Sequence, residues 1–174
     1  MQKINFQDLP STATPINATN LNAIQENVEN AIGQYIMVGL AQETTITTTS
    51  TTKLPLDTNI SSNGSQLTFD STNNCIVVGQ GVSKIELSGM IYVFTIPTTD
   101  LVAIYIYKNS SAYARFNNYL RDSYQSVAIP NVVMDVQQGD KIYIYVNNSA
   151  QPTKYGGNVS GSYLTNSFIA KVVK

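Results

Sequence analysis

Side chains able to do covalent chemistry are few in this 174-residue chain: it holds one cysteine, Cys75, and no histidine. A catalytic thiol needs a base or a positive neighbour to populate its thiolate. With no imidazole available, Cys75, set in the run Asn-Asn-Cys-Ile-Val-Val, reads as a buried strand thiol. A single cysteine excludes an intrachain disulfide. The missing histidine removes the usual general base at neutral pH and the usual nitrogen ligand for metals. Glycoside hydrolysis requires two carboxylates roughly 5–9.5 Å apart. The 11 acidic residues are scattered. Asp70, Asp100 and Asp140 fall at turn positions, and Asp57, Asp122 and Asp135 show no pairing. No glycine-rich phosphate loop and no metal-ligand spacing occurs. The expectation is a protein that is not an enzyme, with no cofactor and no metal.

What the chain offers instead is hydroxyl, amide and phenol: 18 Thr, 18 Asn, 16 Ser and 11 Tyr, against 12% charged residues and a net charge of −1. No basic excess exists to meet a phosphate backbone, so nucleic acid is not an expected partner. No apolar run approaches the roughly 20 residues that cross a bilayer, so membrane insertion is not expected. Six Asn-x-Ser/Thr sequons are present, a number this composition produces by chance. Planar amides and aromatic faces are the groups that recognise neutral sugars, and Asn, Ser and Tyr suit adaptable binding surfaces. Loops on rigid β scaffolds commonly carry such contacts. Two loops stand out as candidate ligand sites. Residues 116–126 offer Asn117, Asn118, Tyr119, Arg121, Asp122 and Tyr124, and residues 147–158 offer Asn148, Gln151, Lys154 and Tyr155. The alternative is that both are solvated connectors.

These candidates need a scaffold. Residues 1–16 read as an irregular arm, because Pro10 and Pro15 oppose regular structure. Its apolar Ile4, Phe6 and Leu9 are either incidental or a docking peptide. Residues 17–40 read as a coiled-coil helix, capped by Asn17 or Thr19. Leu21, Ile24, Val28, Ala31, Tyr35 and Val38 step by three and four, a stripe that either packs on its own domain or trimerises. Gly39 to Gln42 read as a hinge, and residues 41–174 as the head. There the period becomes two: an edge strand through the Thr-rich segment 43–56, then runs at 66–69, 75–78, 85–96, 101–108, 113–116, 127–136, 141–146 and 163–173. Many short strands separated by Asn and Gly turns indicate an antiparallel jelly-roll β-sandwich. In Leu101–Lys108 and Lys141–Val146, Val102, Ile104, Ile106, Ile142, Ile144 and Val146 share the core-facing side. Tyr105, Tyr107, Tyr143 and Tyr145 share the other, as cross-strand packing, a ligand platform or a subunit interface.

The order of these runs resembles the complement-type globular head of the tumour-necrosis-factor-like jelly-roll superfamily. SVAIPNVVMDVQQGDKIYIYVNN is similar to its penultimate strand pair around Gly139-Asp140. VSKIELSGMIYVFTI resembles its central strand, and SYLTNSFIAKVV its last. The resemblance implies a homotrimer. A second run, LPSTATPINATNLNAIQENVENAI, resembles the N-terminal segment of bacteriophage tail-fibre, baseplate and head-fibre proteins, centred on Thr14 to Asn22. It implies that the arm and helix attach to other virion proteins. Together they imply a virion fibre or knob, made in the host cytoplasm because MQKINFQDLP does not read as a signal peptide. Its head would bind a host-surface glycan; the alternative is a decoration or baseplate component without a ligand.

Overall fold

The computed structural model describes residues 21, 22, 24, 33–95, 101–121, 124–148, 153–156 and 167–173. These contain thirteen strands: β1 (Tyr35–Gly39), β2 (Thr44–Ile46), β3 (Thr52–Lys53), β4 (Thr58–Asn63), β5 (Leu67–Asp70), β6 (Cys75–Val78), β7 (Lys84–Thr95), β8 (Leu101–Lys108), β9 (Ser111–Tyr119), β10 (Tyr124–Asp135), β11 (Lys141–Asn148), β12 (Thr153–Tyr155) and β13 (Ser167–Val172). The strands are rich in β-branched and aromatic residues, whose side chains pack well on a pleated surface. They pair antiparallel into two sheets. The seven-stranded sheet runs β2-β12-β7-β13-β1-β4, with β10 on the other edge of β7. The six-stranded sheet runs β5-β6-β11-β8-β9, with β3 beside β11.

The core lies between the sheets. Ile85, Leu87, Ile91 and Val93 of β7 meet Val102, Ile104 and Ile106 of β8 and Ile142, Ile144 and Val146 of β11 in one buried cluster. The aliphatic halves of the two alternating strands therefore face inward, as the period of two requires. The strands β9 and β10 approach along one side of the sandwich, where the Tyr113 hydroxyl donates to the Val133 carbonyl at 3.1 Å.

Turn chemistry sets the registers. Asn109-Ser110 closes β8 onto β9, with Lys108 opposite Ser111. Asn109 takes φ 55°, a left-handed conformation that asparagine tolerates well among non-glycine residues. The four-residue turn before Cys75 uses Asn74 at φ 52°.

The helix assignment for residues 17–40 requires correction. Leu21, Asn22 and Ile24 are helical, but Tyr35–Gly39 is β1. Gly33 has φ +76°, which no interior residue of a right-handed helix adopts. β1 pairs with β13 on one edge and β4 on the other. Those two ladders satisfy its backbone in a way a lone helix turn would not. Val38 is thus fully buried in the head rather than on a coiled-coil seam, and Tyr35 bonds Ser61 at 3.1 Å. Gly39 and Leu40 are buried, so the expected hinge at Gly39 to Gln42 does not begin in an open linker, and the head includes β1. The Thr-rich segment divides: β2 is an edge of the first sheet, whereas β3 joins the second. Ile4, Phe6 and Leu9, with Val28 and Ala31, lie outside the described residues.

Candidate functional site

The alternation that buries the isoleucines of β8 and β11 turns four tyrosines to the outer face of the six-stranded sheet. Register places them in rows. Lys53, Tyr145, Tyr105 and Arg115 stand opposite one another across β3, β11, β8 and β9. The next row holds Tyr143, Tyr107 and Ala112. On the other flank come Asn147, Ala103 and Asn117, and then Leu101 with Tyr119, which is 73% exposed.

The rings pack closely. Tyr107 and Tyr145 have centroids 4.3 Å apart, and Tyr105–Tyr107 and Tyr143–Tyr145 are each at 6.3 Å. Cations close both ends of the cluster. Lys53 Nζ lies 5.5 Å from the Tyr143 centroid, and the Arg115 guanidinium lies 5.3 Å from that of Tyr105. Both distances are within cation–π range. Beside Tyr143, on the neighbouring strand β6, sits Cys75, fully buried and free. Burial, then the nearby Asp70 carboxylate, pushes its thiol above the ordinary value of 9.0, opposite to what a nucleophile needs. Burial, then Cys75, also raises the Tyr143 phenol.

At the edge of this face Asp70 holds the β5–β6 turn. It accepts the Asn73 side chain at 2.6 Å and the Thr72 and Asn73 backbone N–H groups. These bonds, Asn73 first, keep its carboxyl below the ordinary 3.8. Asp140 likewise accepts Asn109 at 2.8 Å and the Gln137 N–H at 3.0 Å. Asp57 accepts the Ala41 and Gln42 N–H groups. These acids fasten turns, and among the described residues no group of three or more Cys, Asp or Glu could hold a metal.

The loop candidates divide on the structure. Asn117, Asn118 and Tyr119 belong to β9, and Tyr124 opens β10, so the segment 116–126 is largely strand. Only Asn117 and Tyr119 share the tyrosine face. Asn118 lies opposite the fully buried Val102, and its Nδ2 is buried with no hydrogen-bond partner among the described residues. Arg121 is exposed beyond β9, and its N–H donates to Gln125. In the second segment, Asn148 and Tyr155 are both buried, the Tyr155 hydroxyl donating to Asn148 Oδ1 at 2.6 Å. They hold β11 and β12 together and present nothing to a ligand. Lys154 lies on the other sheet, in an ion pair with Glu43 at 2.8 Å. Asp122 and Gln151 lie outside the described residues. The contribution of Arg115, Lys53 and Asn147 was missed; their period-two spacing from the strand cores was the available signal.

The outer face of the seven-stranded sheet differs in kind. The apolar and aromatic residues alternating with its core are Tyr35 and Met37 on β1, Met90, Tyr92 and Phe94 on β7, and Ile169 on β13, all partly exposed; Glu86, Ser88 and Lys171 alternate beside them. Gly39, Ser167, Met90 and Ala128 form one row across it. Charge lies in one inner row, where Lys171 of β13 stands opposite Glu86 of β7, and at the ends: Lys84 with Asp135 at 3.3 Å at one, Lys154 with Glu43 at the other.

No family model matches the sequence, and no curated protein matches it. Solved structures do resemble its fold. Murine APRIL at pH 5.0 is 13% identical, with a TM-score of 0.58 over 81% of this chain and 99% of that one. The pH 8.5 structure of murine APRIL is 12% identical, with a TM-score of 0.56 over the same shares. Eiger TNF from S. frugiperda is 11% identical, with a TM-score of 0.55 over 82% of this chain and 93% of that one. The chain therefore has a tumour-necrosis-factor-like jelly-roll fold.

Proposed function

We propose that the protein is a non-enzymatic bacteriophage virion component, a homotrimeric fibre or knob whose head binds a host-surface glycan. The observation that carries the reading is the difference between the two outer faces. One presents Met37, Met90, Phe94 and Ile169, with Lys171 opposite Glu86 in the adjoining row and ion pairs at its ends, a largely apolar surface suited to burial against copies of the same chain. The other presents phenols, amides and cations, a surface suited to a polar ligand. The fold likeness supports a self-associating head. The virion placement draws on the resemblance of the Thr14–Asn22 run to phage fibre and baseplate segments. Three copies would raise the effective concentration of weak single sites.

A decoration or baseplate component without a ligand is the second reading. It is favoured by the close ring packing of Tyr107 with Tyr145 at 4.3 Å, which cross-strand stabilisation alone explains. Binding of the full chain to purified host envelopes separates the two. Saturable binding supports the first reading, and its absence with the oligomer intact supports the second.

A further inference from the structure

The tyrosine face has a chemistry more specific than neutral sugar recognition. Its charged members among the described residues are Lys53, Lys141 and Arg115 against the single carboxylate Asp70. That carboxylate is engaged by its own turn and by Lys141 at 4.0 Å. The two cations that terminate the tyrosine row are not saturated. Among the described residues, Lys53 Nζ donates once, to the Asn73 carbonyl at 3.0 Å, and Arg115 donates through Nε to Asn117 at 2.8 Å. An ammonium has three donors and a guanidinium five. The phenol hydroxyls of Tyr105, Tyr107 and Tyr145 make no hydrogen bond to other described residues. At the sheet spacing, three inter-strand steps from Lys53 to Arg115 span about 14 Å, the reach of a short oligosaccharide.

We infer that the row Lys53–Tyr145–Tyr105–Arg115 is a binding site for an acidic glycan. Pyranose rings lie on the phenols, and carboxylate or phosphate substituents meet the cations at each end. This rests on the reading of the head as a glycan-binding domain and gives that ligand its charge. Arg115, whose terminal guanidinium nitrogens make no hydrogen bond to other described residues, is the residue suited to bidentate recognition of the anion. Lys53 supplies a point charge at the opposite end.

The test uses the full chain and a matched pair of probes, trigalacturonate and its methyl ester, which keeps the rings and loses the charge. The expected result is saturable calorimetric binding of the acid at least tenfold tighter than the ester. The double variant K53Q/R115Q should lose tenfold or more, with its melting curve confirming the fold. K154Q, on the opposite sheet, should bind as wild type does. Equal binding of acid and ester, or K53Q/R115Q binding like wild type, overturns the site. So does binding of poly(glycerol phosphate) with none of trigalacturonate, since it indicates charge alone. Host-envelope binding by wild type that K53Q/R115Q leaves unchanged overturns this site and leaves the glycan-binding head standing. No envelope binding by an intact oligomer overturns both.

Discussion

Replacing Val38 by Ala distinguishes a strand of the head from a coiled-coil stripe. Val38 is fully buried in β1, between β13 and β4. The change removes two methyl groups. At about 0.8 kcal/mol per buried carbon, the lost transfer energy is about 1.6 kcal/mol. The cavity left between the sheets adds to this, because packed neighbours relax only in part. For a domain of this size each kcal/mol lowers the melting temperature by roughly 2–4 °C, so the drop is about 3–6 °C before the cavity is counted. Ile24, on the same sequence stripe, is 55% exposed; its change to Ala should stay within about 0.5 kcal/mol, as for other surface substitutions. Both variants are melted by circular dichroism at one protein concentration, since self-association makes the midpoint concentration-dependent. If I24A falls by several degrees while V38A melts with wild type, the assignment of β1 to the head is wrong.

Other outcomes follow from the same structure. Adding a methyl at Gly89 of β7 would bring it 2.6 Å from the Ser167 carbonyl oxygen and 2.8 Å from the Phe168 ring; G89A should therefore lose more than 1 kcal/mol in urea unfolding. Asp70 has a lowered carboxyl pKa when folded, so its contribution is present above pH 3.8 and fades as acid protonates the folded form. D70N should melt with a shallower acid limb than wild type. Cys75 has a raised thiol pKa, so its contribution is present below pH 9.0 and is lost as pH rises. C75A should flatten the alkaline limb, and a thiol reagent should label Cys75 only at the rate of unfolding. The double change Met90→Glu and Ile169→Glu should give a folded chain of reduced oligomeric mass by light scattering.

Much of the sandwich was legible because alternation is a strong signal. The runs at 75–78 and 101–108 coincide with β6 and β8, and the inward Ile/Val and outward Tyr division of β8 and β11 holds. What failed did so for identifiable reasons. Tyr35 and Val38 fit a step of three, while Ile36 and Val38 equally fit a step of two. Only the ladders to β4 and β13, whose partners lie far along the chain (Gly39 with Thr58, Tyr35 with Lys171), decide between them. β4, Thr-Asn-Ile-Ser-Ser-Asn, is polar enough to read as a turn, and it forms because β1 offers it an edge. Asn148 and Tyr155 looked like loop residues because polarity alone does not reveal a partner; each is buried because the other satisfies it. The site was half legible: the tyrosines were seen, but the cations and amides beside them are assembled by cross-strand register.

Sedimentation equilibrium of the full chain at micromolar concentration tests the central claim, that one outer sheet face self-associates and leaves the tyrosine face open. The account predicts a mass three times that of the 19.0 kDa chain. A monomer of 19.0 kDa at that concentration would contradict it.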